Sequence, residues 1–152
     1  MITVKKSPMA DTRTCDWSKA TKDDLLKNSQ QHIKDVQQAI CFFINGLAQA
    51  GHVHDHTKLS GIDGFHKDFS CGFKTTDWWD NHRKTERHHL EKEDGIRDDV
   101  NLIDVIEFVC DCVMAGRARS GKVRELIISD ETLRKAFTNT WQLLDSEVSV
   151  KD

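Results

Sequence analysis

The chain has 152 residues, enough for one domain with a buried core, and its 38% hydrophobic and 31% charged residues read as globular rather than disordered. A net charge of −3 with both signs interspersed forms no broad basic face, which disfavours nucleic acid as a partner. No apolar run approaches the roughly 20 residues that cross a bilayer, and the N-terminal residues hold no hydrophobic segment of the secretory kind, so a cytoplasmic setting is expected.

The only proline is Pro8, and no stretch longer than about four residues alternates cleanly with period two. An all-α chain is therefore expected: a compact bundle of about five or six helices in a single domain over residues 1–152, with residues 1–20 as an N-terminal arm. Thr21 to Asp24 form a capping-box pattern that opens the first helix. Leu25, Ser29, His32, Val36, Ile40, Phe43 and Leu47 then recur at steps of three and four, which places His32 on the apolar face. Gly51 suits the helix stop. A short helix carrying "HVHDHTKL" is expected next.

Residues 61–75 hold three glycines and three phenylalanines without helical rhythm and read as a loop, a candidate flap over a site. A further helix is expected from Thr76 or Asp77 through the two adjacent histidines, with Trp78, His82 and His89 on one face and His88 about 100° away. The segment "NLIDVIEFVCDCVMA" is apolar nearly all round and reads as a buried helix, although Asp104, Glu107 and Asp111 interrupt it. A last helix opens at Ser129 and is expected to bury Leu133, Phe137, Trp141 and Leu144.

The eight histidines are the compositional anomaly, and all fall between His32 and His89. Neutral imidazole is the commonest transition-metal ligand. Carboxylates in an apolar helix cost several kcal/mol unless something compensates them. The economical arrangement has Asp104, Glu107, Asp111, His32, His82 and His89 converging on a divalent cation. The five cysteines, Cys15, Cys41, Cys71, Cys110 and Cys112, are irregularly spaced and are expected to be reduced thiols rather than a zinc site. His52, His56 and His66 are expected to be solvated or to support a ligand from behind.

The order His32, then the pair His54-Asp55, then Asp111 resembles the signature of the HD-domain superfamily, and His54-Asp55-His56-Thr57-Lys58 resembles its HD-x-x-K form. His82 and the His88-His89 pair resemble the additional histidines of branches that hold two metals. The strings "HIKDVQ", "HDHTKLS", "NHRKTERHHL" and "LIDVIEFVCD" are similar, in that order, to segments of a small HD-like family found in phages and prophages. Cys112 and Leu90 stand where many members of that small family carry tryptophan and proline.

The resemblance implies an HD-like helical fold and a metal-dependent phosphohydrolase acting on a nucleotide or related small phosphoester. It implies one or two divalent ions (Mn, Mg, Ni, Co, Zn or Fe) held by His32, His54, Asp55, His82, His88, His89 and either Asp111 or its rival Asp104. Asp55 and Lys58 are the catalytic candidates: the first to ligate and take a proton, the second to meet a phosphate oxygen as a point charge. Arg83, Arg87, Arg117 and Arg119, with Lys122, are candidate phosphate contacts. Two alternatives stand beside this one: a di-iron oxygenase on the same fold, and a non-catalytic metal-containing phage protein that binds a host factor or a nucleotide.

Overall fold

The computed structural model describes the chain except for residues 8, 10–12, 14, 76, 93, 94, 124 and 152. Pro8 and Thr76, the expected start of one helix, therefore lie outside the described residues. The fold is all-α: six α-helices carry most of the described chain, with two small two-stranded pairings beside them. No helix among the described residues is long and apolar enough to cross a membrane. All five cysteines are free thiols.

The chain groups into two compact units, Met1–Asn45 with Trp141–Asp152, and Gly46–Thr140. In the first unit, strand β1 (Ile2–Lys5) pairs in parallel with β4 (Val148–Lys151), with Ile2 opposite Val148 and Lys5 opposite Lys151. Part of the expected arm is thus a strand. Helix α1 (Lys22–Val53) starts with the capping geometry its sequence indicated. Asp24 N donates to Thr21 Oγ1 at 3.2 Å, and Thr21 N donates to Asp24 Oδ2 at 3.1 Å. Its apolar stripe is not buried: Leu25, Val36 and Ile40 are 52%, 42% and 53% exposed. Helical periodicity marks a face that prefers cover, without saying what covers it.

The second unit begins inside α1, which runs past Gly51 to Val53. The expected short helix is instead a helix end, a break and a new helix, α2 (His56–Ser60). The break is Asp55, whose φ of 56° lies in the left-handed region that aspartate tolerates better than most side chains. It turns the chain so that His54 and Asp55 are presented at the junction.

The expected loop at 61–75 is mostly a helix, α3 (Ile62–Ser70). Its glycines are packing sites. A Cβ at Gly61 or Gly64 would come within 2.7 or 2.9 Å of the Trp78 indole, so the helix must lack side chains there to lie against that ring. Phe65 follows, its ring tilted against Trp78 with centroids 4.6 Å apart. Buried Asp68 then accepts hydrogen bonds from the amides of Trp78 (3.0 Å) and Trp79 (3.1 Å). Those are first-turn donors of α4 (Asp77–Thr85), and a carboxylate from α3 satisfies them.

Helix α4 stops at Thr85, so His88 and His89 lie in the following turn and not on the helix face expected for them. A short antiparallel pair, β2 (Glu91–Lys92) with β3 (Gly95–Ile96), leads on to α5 (Leu102–Ser120). Asn101 and Asp104 close a capping box at the start of α5, and Gly121 ends it at φ 71°.

Helix α5 was expected to be buried on most sides, yet Ile106, Val109, Cys110 and Met114 are exposed. The last helix, α6 (Asp130–Glu147), buries Thr132 and Ala136. Phe137 and Trp141, expected inside, are 67% and 62% exposed, and Leu133 is only partly covered. The small core of this unit is Leu90, Val100 and Ala136, flanked by Leu102, Val105 and Phe108.

Candidate metal centre

The second unit gathers six of the expected ligands. Two overlapping sets, His82 with His88 and His89, and His54 with Asp55 and His88, each bring their donor atoms within 4.8 Å of one another. Asp111 joins them, with Oδ1 at 3.6 Å from His54 Nε2. Three local devices produce this gathering: the left-handed break at Asp55, the early stop of α4, and one face of α5.

The hydrogen bonds behind the histidines decide which nitrogen faces inward. Glu107 Oε1 lies 2.9 Å from His54 Nδ1 and 3.2 Å from His88 Nδ1. A carboxylate only accepts, so both Nδ1 atoms carry their protons toward Glu107. Thr57 Oγ1 donates its single proton to Glu86 Oε1 at 2.5 Å and lies 2.7 Å from His82 Nδ1. The hydroxyl must therefore accept from His82, which again puts the proton on Nδ1. Burial, the largest effect, holds His82 below the ordinary histidine value, so it is neutral and its Nε2 is a bare lone pair.

The inward nitrogens face Asp55. Its Oδ1 lies 3.4 Å from His82 Nε2 and 3.7 Å from His88 Nε2, and its Oδ2 is 3.5 Å from His54 Nε2. Asp55 Oδ1, His82 Nε2 and His89 Nε2 are buried and have no hydrogen-bond partner among the described residues. Unsatisfied buried polar atoms are rare and costly. Here acceptors converge on acceptors, which a cation relieves and a water molecule relieves less well. The donor set of imidazoles and carboxylates, with His54 and His88 held from behind by Glu107 and His82 by Thr57, could hold a transition metal.

Protonation follows the same geometry. Burial would raise the Asp55 carboxyl, but the hydrogen bond from Lys58 Nζ and the nearby His54 and His88 carry it below the ordinary value. Burial would likewise raise Glu107, and the two imidazoles that donate to it hold it low. His89 is pushed down to about 3, first by burial and then by neighbouring His88 and His82. Burial pulls His54 down too, but its bond to Glu107, with Asp55 and Asp111 beside it, holds it above the usual value. Trp78 and Trp79 close one side, their rings stacked on His82 at centroid distances of 4.8 and 5.4 Å.

Two expected ligands are not brought to the centre. His32 is an exposed residue of the first unit, about six turns before the end of α1. Asp104 is 1% exposed but fully engaged elsewhere. Arg87 Nε donates to its Oδ1 at 2.7 Å and Arg87 Nη2 to its Oδ2 at 2.8 Å, while Asn101 N adds a third bond at 2.9 Å. The geometry therefore favours Asp111 as the late acid.

Arg87 is equally committed, since Nη1 also donates to Asp99 at 2.6 Å, so it is not a free phosphate contact. Arg83 reaches the Glu91 carbonyl at 3.3 Å, and Arg117 caps the end of α5 at the Gly121 carbonyl. Arg119 and Lys122 line another cleft with Phe108 and Cys112. Among the candidate cations only Lys58 is placed at the centre, where it is bound to Asp55. His52, His56 and His66 are exposed.

Glu107, expected to converge on the cation with Asp104 and Asp111, instead accepts from His54 and His88 behind it, and Glu86 was not among the candidates. The available signal for Glu107 was its position one turn before Asp111. Glu86 had no local signal, because its role depends on Thr57, 29 residues away. Comparison of the chain with family models, curated proteins and solved structures yields no match.

Proposed function

We propose that the chain is a metal-dependent phosphohydrolase of the HD type, acting on a nucleotide or related small phosphoester. The observation that carries the reading is that Asp55 Oδ1 and His82 Nε2, 3.4 Å apart, and His89 Nε2 are buried and unpartnered among the described residues, within the gathered His and Asp groups. His54, Asp55, His82, His88, His89 and Asp111 would hold one or two divalent ions. A divalent ion supplies Lewis acidity toward a phosphoryl oxygen and acidifies a nearby water. In hydrolysis the water oxygen bonds to phosphorus, the ester oxygen leaves with a proton, and inorganic phosphate or a shorter phosphate ester results.

The chain's own groups have distinct tasks. Glu107 and the Thr57–Glu86 pair keep the imidazole protons on Nδ1, so that Nε2 faces inward. Asp55 turns Oδ1 toward His82 and His88 and Oδ2 toward His54 and Lys58, and Lys58 keeps the carboxylate ionised and ready to accept a proton from water. Lys58 brings a positive charge to the rim, suited to a phosphate oxygen. The tryptophan stack exclude water from behind His82.

Purification without chelator, elemental analysis, and a nucleotide and phosphoester panel assayed with the metal found would test this. Phosphate release with manganese, magnesium, nickel or cobalt is expected. The imidazole-rich donor set supports a second reading, an iron-dependent oxygenase. Two irons per chain with a visible absorption band and no phosphate release would favour it. Full metal occupancy with no turnover of any kind would instead leave a metal-containing binding protein.

A further inference from the structure

A cleft of about 320 Å³ opens directly onto the centre, between the end of α1 and the middle of α5. His54, Glu107 and Asp111 form its polar end. The remaining wall is apolar, with Leu47 and Ala50 on one side and Ile106, Cys110 and Met114 on the other. Glu107 Oε1 already receives both imidazole protons. Away from the centre, the wall therefore offers no side-chain partner to a hydrogen-bonding edge except a weak thiol. Desolvating such an edge without a partner costs several-fold to many-fold in affinity.

Gly51 is the second observation. It lies in α1, has no positive φ, and an added Cβ would meet nothing within 4 Å. Neither the backbone nor close packing requires glycine there, and glycine within a helix costs about 0.5–1 kcal/mol relative to alanine. Yet Gly51 lines the cleft. Its missing side chain keeps the apolar space open beside His54.

We infer that this cleft binds an apolar group of the substrate, an aryl or alkyl group joined through the phosphoester to the reacting phosphate. The inference rests on the phosphohydrolase reading for the phosphate end, and on the cleft alone for the apolar end. The volume holds on the order of ten water-sized groups, which fits a two-ring aromatic or a medium alkyl chain. A ligand whose selectivity depends on a hydrogen-bonding base edge fits it poorly.

The test compares 1-naphthyl phosphate with methyl phosphate as substrates of the metal-loaded protein, and titrates the non-hydrolysable 1-naphthylmethylphosphonate by fluorescence. Wild type should prefer the naphthyl ester at least tenfold in kcat/KM. Gly51→Leu should cut that preference to threefold or less and weaken phosphonate binding at least tenfold, with unchanged helical circular dichroism. Met114→Gln, at an exposed wall position, should weaken phosphonate binding in the same direction and provides the result should Gly51→Leu misfold.

Equal kcat/KM for the two esters, or phosphonate binding untouched by both substitutions, would overturn the inference. So would dissociation of an oligomer by Gly51→Leu in light scattering, because the cleft would then seat a second copy of the chain. If neither ester is hydrolysed, the phosphohydrolase reading fails. The phosphonate titration still decides the cleft: binding that both substitutions weaken supports it, and absent binding overturns it.

Discussion

Two polar groups lie along the first half of α5, one turn apart, and they differ in a single respect. At the helix start the buried Asp104 carboxylate meets Arg87 and the Asn101 amide, and Arg87 also reaches exposed Asp99, so that each acceptor meets a donor. From Glu107 onward the donors run out. Two imidazoles spend their protons on Glu107, a third spends its proton on Thr57, and the remaining lone pairs face Asp55. Buried charge alone therefore does not mark a site. Asp104 is more buried than Asp111, and it is the structural residue. The mismatch between donors and acceptors marks the candidate site.

The largest expected effect breaks the satisfied group. Arg87→Met leaves the Asp104 carboxylate, whose side chain is 2% exposed, without its cation. Removing one partner of a buried pair costs about 3–5 kcal/mol, and the partial exposure of the guanidinium places this case near about 3 kcal/mol. Urea unfolding should show that loss equally with and without added divalent metal. Should metal erase the difference between variant and wild type, the two groups are one network and the contrast fails.

Metal itself is the next largest effect. At a free concentration one hundred times Kd, a bound ion should stabilise the wild type by about 2.7 kcal/mol. Asp104→Asn, though less stable at the outset, should keep this increment. Asp111→Asn should lose most of it while starting near wild-type stability, because its carboxyl is partly exposed and makes no ion pair with Lys or Arg among the described residues. Thermal unfolding of the three proteins with and without manganese reads both quantities. The opposite pattern would return the late acid to Asp104.

How much of this was legible beforehand depended on how local each cause was. The all-α class and the Thr21–Asp24 cap follow from nearby residues, and they appear as expected. The helix over 62–70 was hidden because Gly61 and Gly64 look like breakers, whereas they make room for Trp78, which lies well downstream. The four-residue step from Phe65 to Phe69 was the helical signal there, and three glycines masked it. The stop after Thr85 has no proline or glycine to announce it. It accompanies Glu86, whose side chain is taken up by Thr57 across 29 residues. The β1–β4 pairing joins residues 146 apart, and four-residue segments carry too little periodicity to be read. At the candidate site, His54, Asp55 and Asp111 are the residues that the resemblance named in that order, and they lie together. His32 was not separable from them, because an apolar stripe does not say which residues finally cover it.

A third expectation sharpens the contrast from inside the centre. Glu107→Gln replaces an acceptor that serves two imidazoles with a group that can accept from one and must offer an N–H to the other. One of His54 and His88 then has to turn or change tautomer. Loss of an orienting partner typically lowers metal affinity 10–100-fold, and the double duty of Glu107 places this substitution near the upper end, about 100-fold. Calorimetric titration with manganese checks it. Affinity within twofold of wild type would mean that the Glu107 bonds do not orient the ligands.

The smallest expected effect separates orientation from packing. Thr57 serves one imidazole, so Thr57→Val, which keeps the shape and removes the hydroxyl, should lower metal affinity by about tenfold. It should also cost about 1–2 kcal/mol, because Glu86 and His82 Nδ1 each lose a buried partner. Thr57→Ser retains the hydroxyl and loses only a methyl. A packing role predicts that serine is the worse replacement, since valine fills the space better. An orienting role predicts the reverse: serine close to wild type in affinity, valine impaired. Nitrogen chemical shifts of the His82 ring supply a readout that packing does not move. In wild type and Thr57→Ser the proton should reside on Nδ1, whereas in Thr57→Val the ring should be free to place it on Nε2, toward Asp55 Oδ1, where it would compete with the metal.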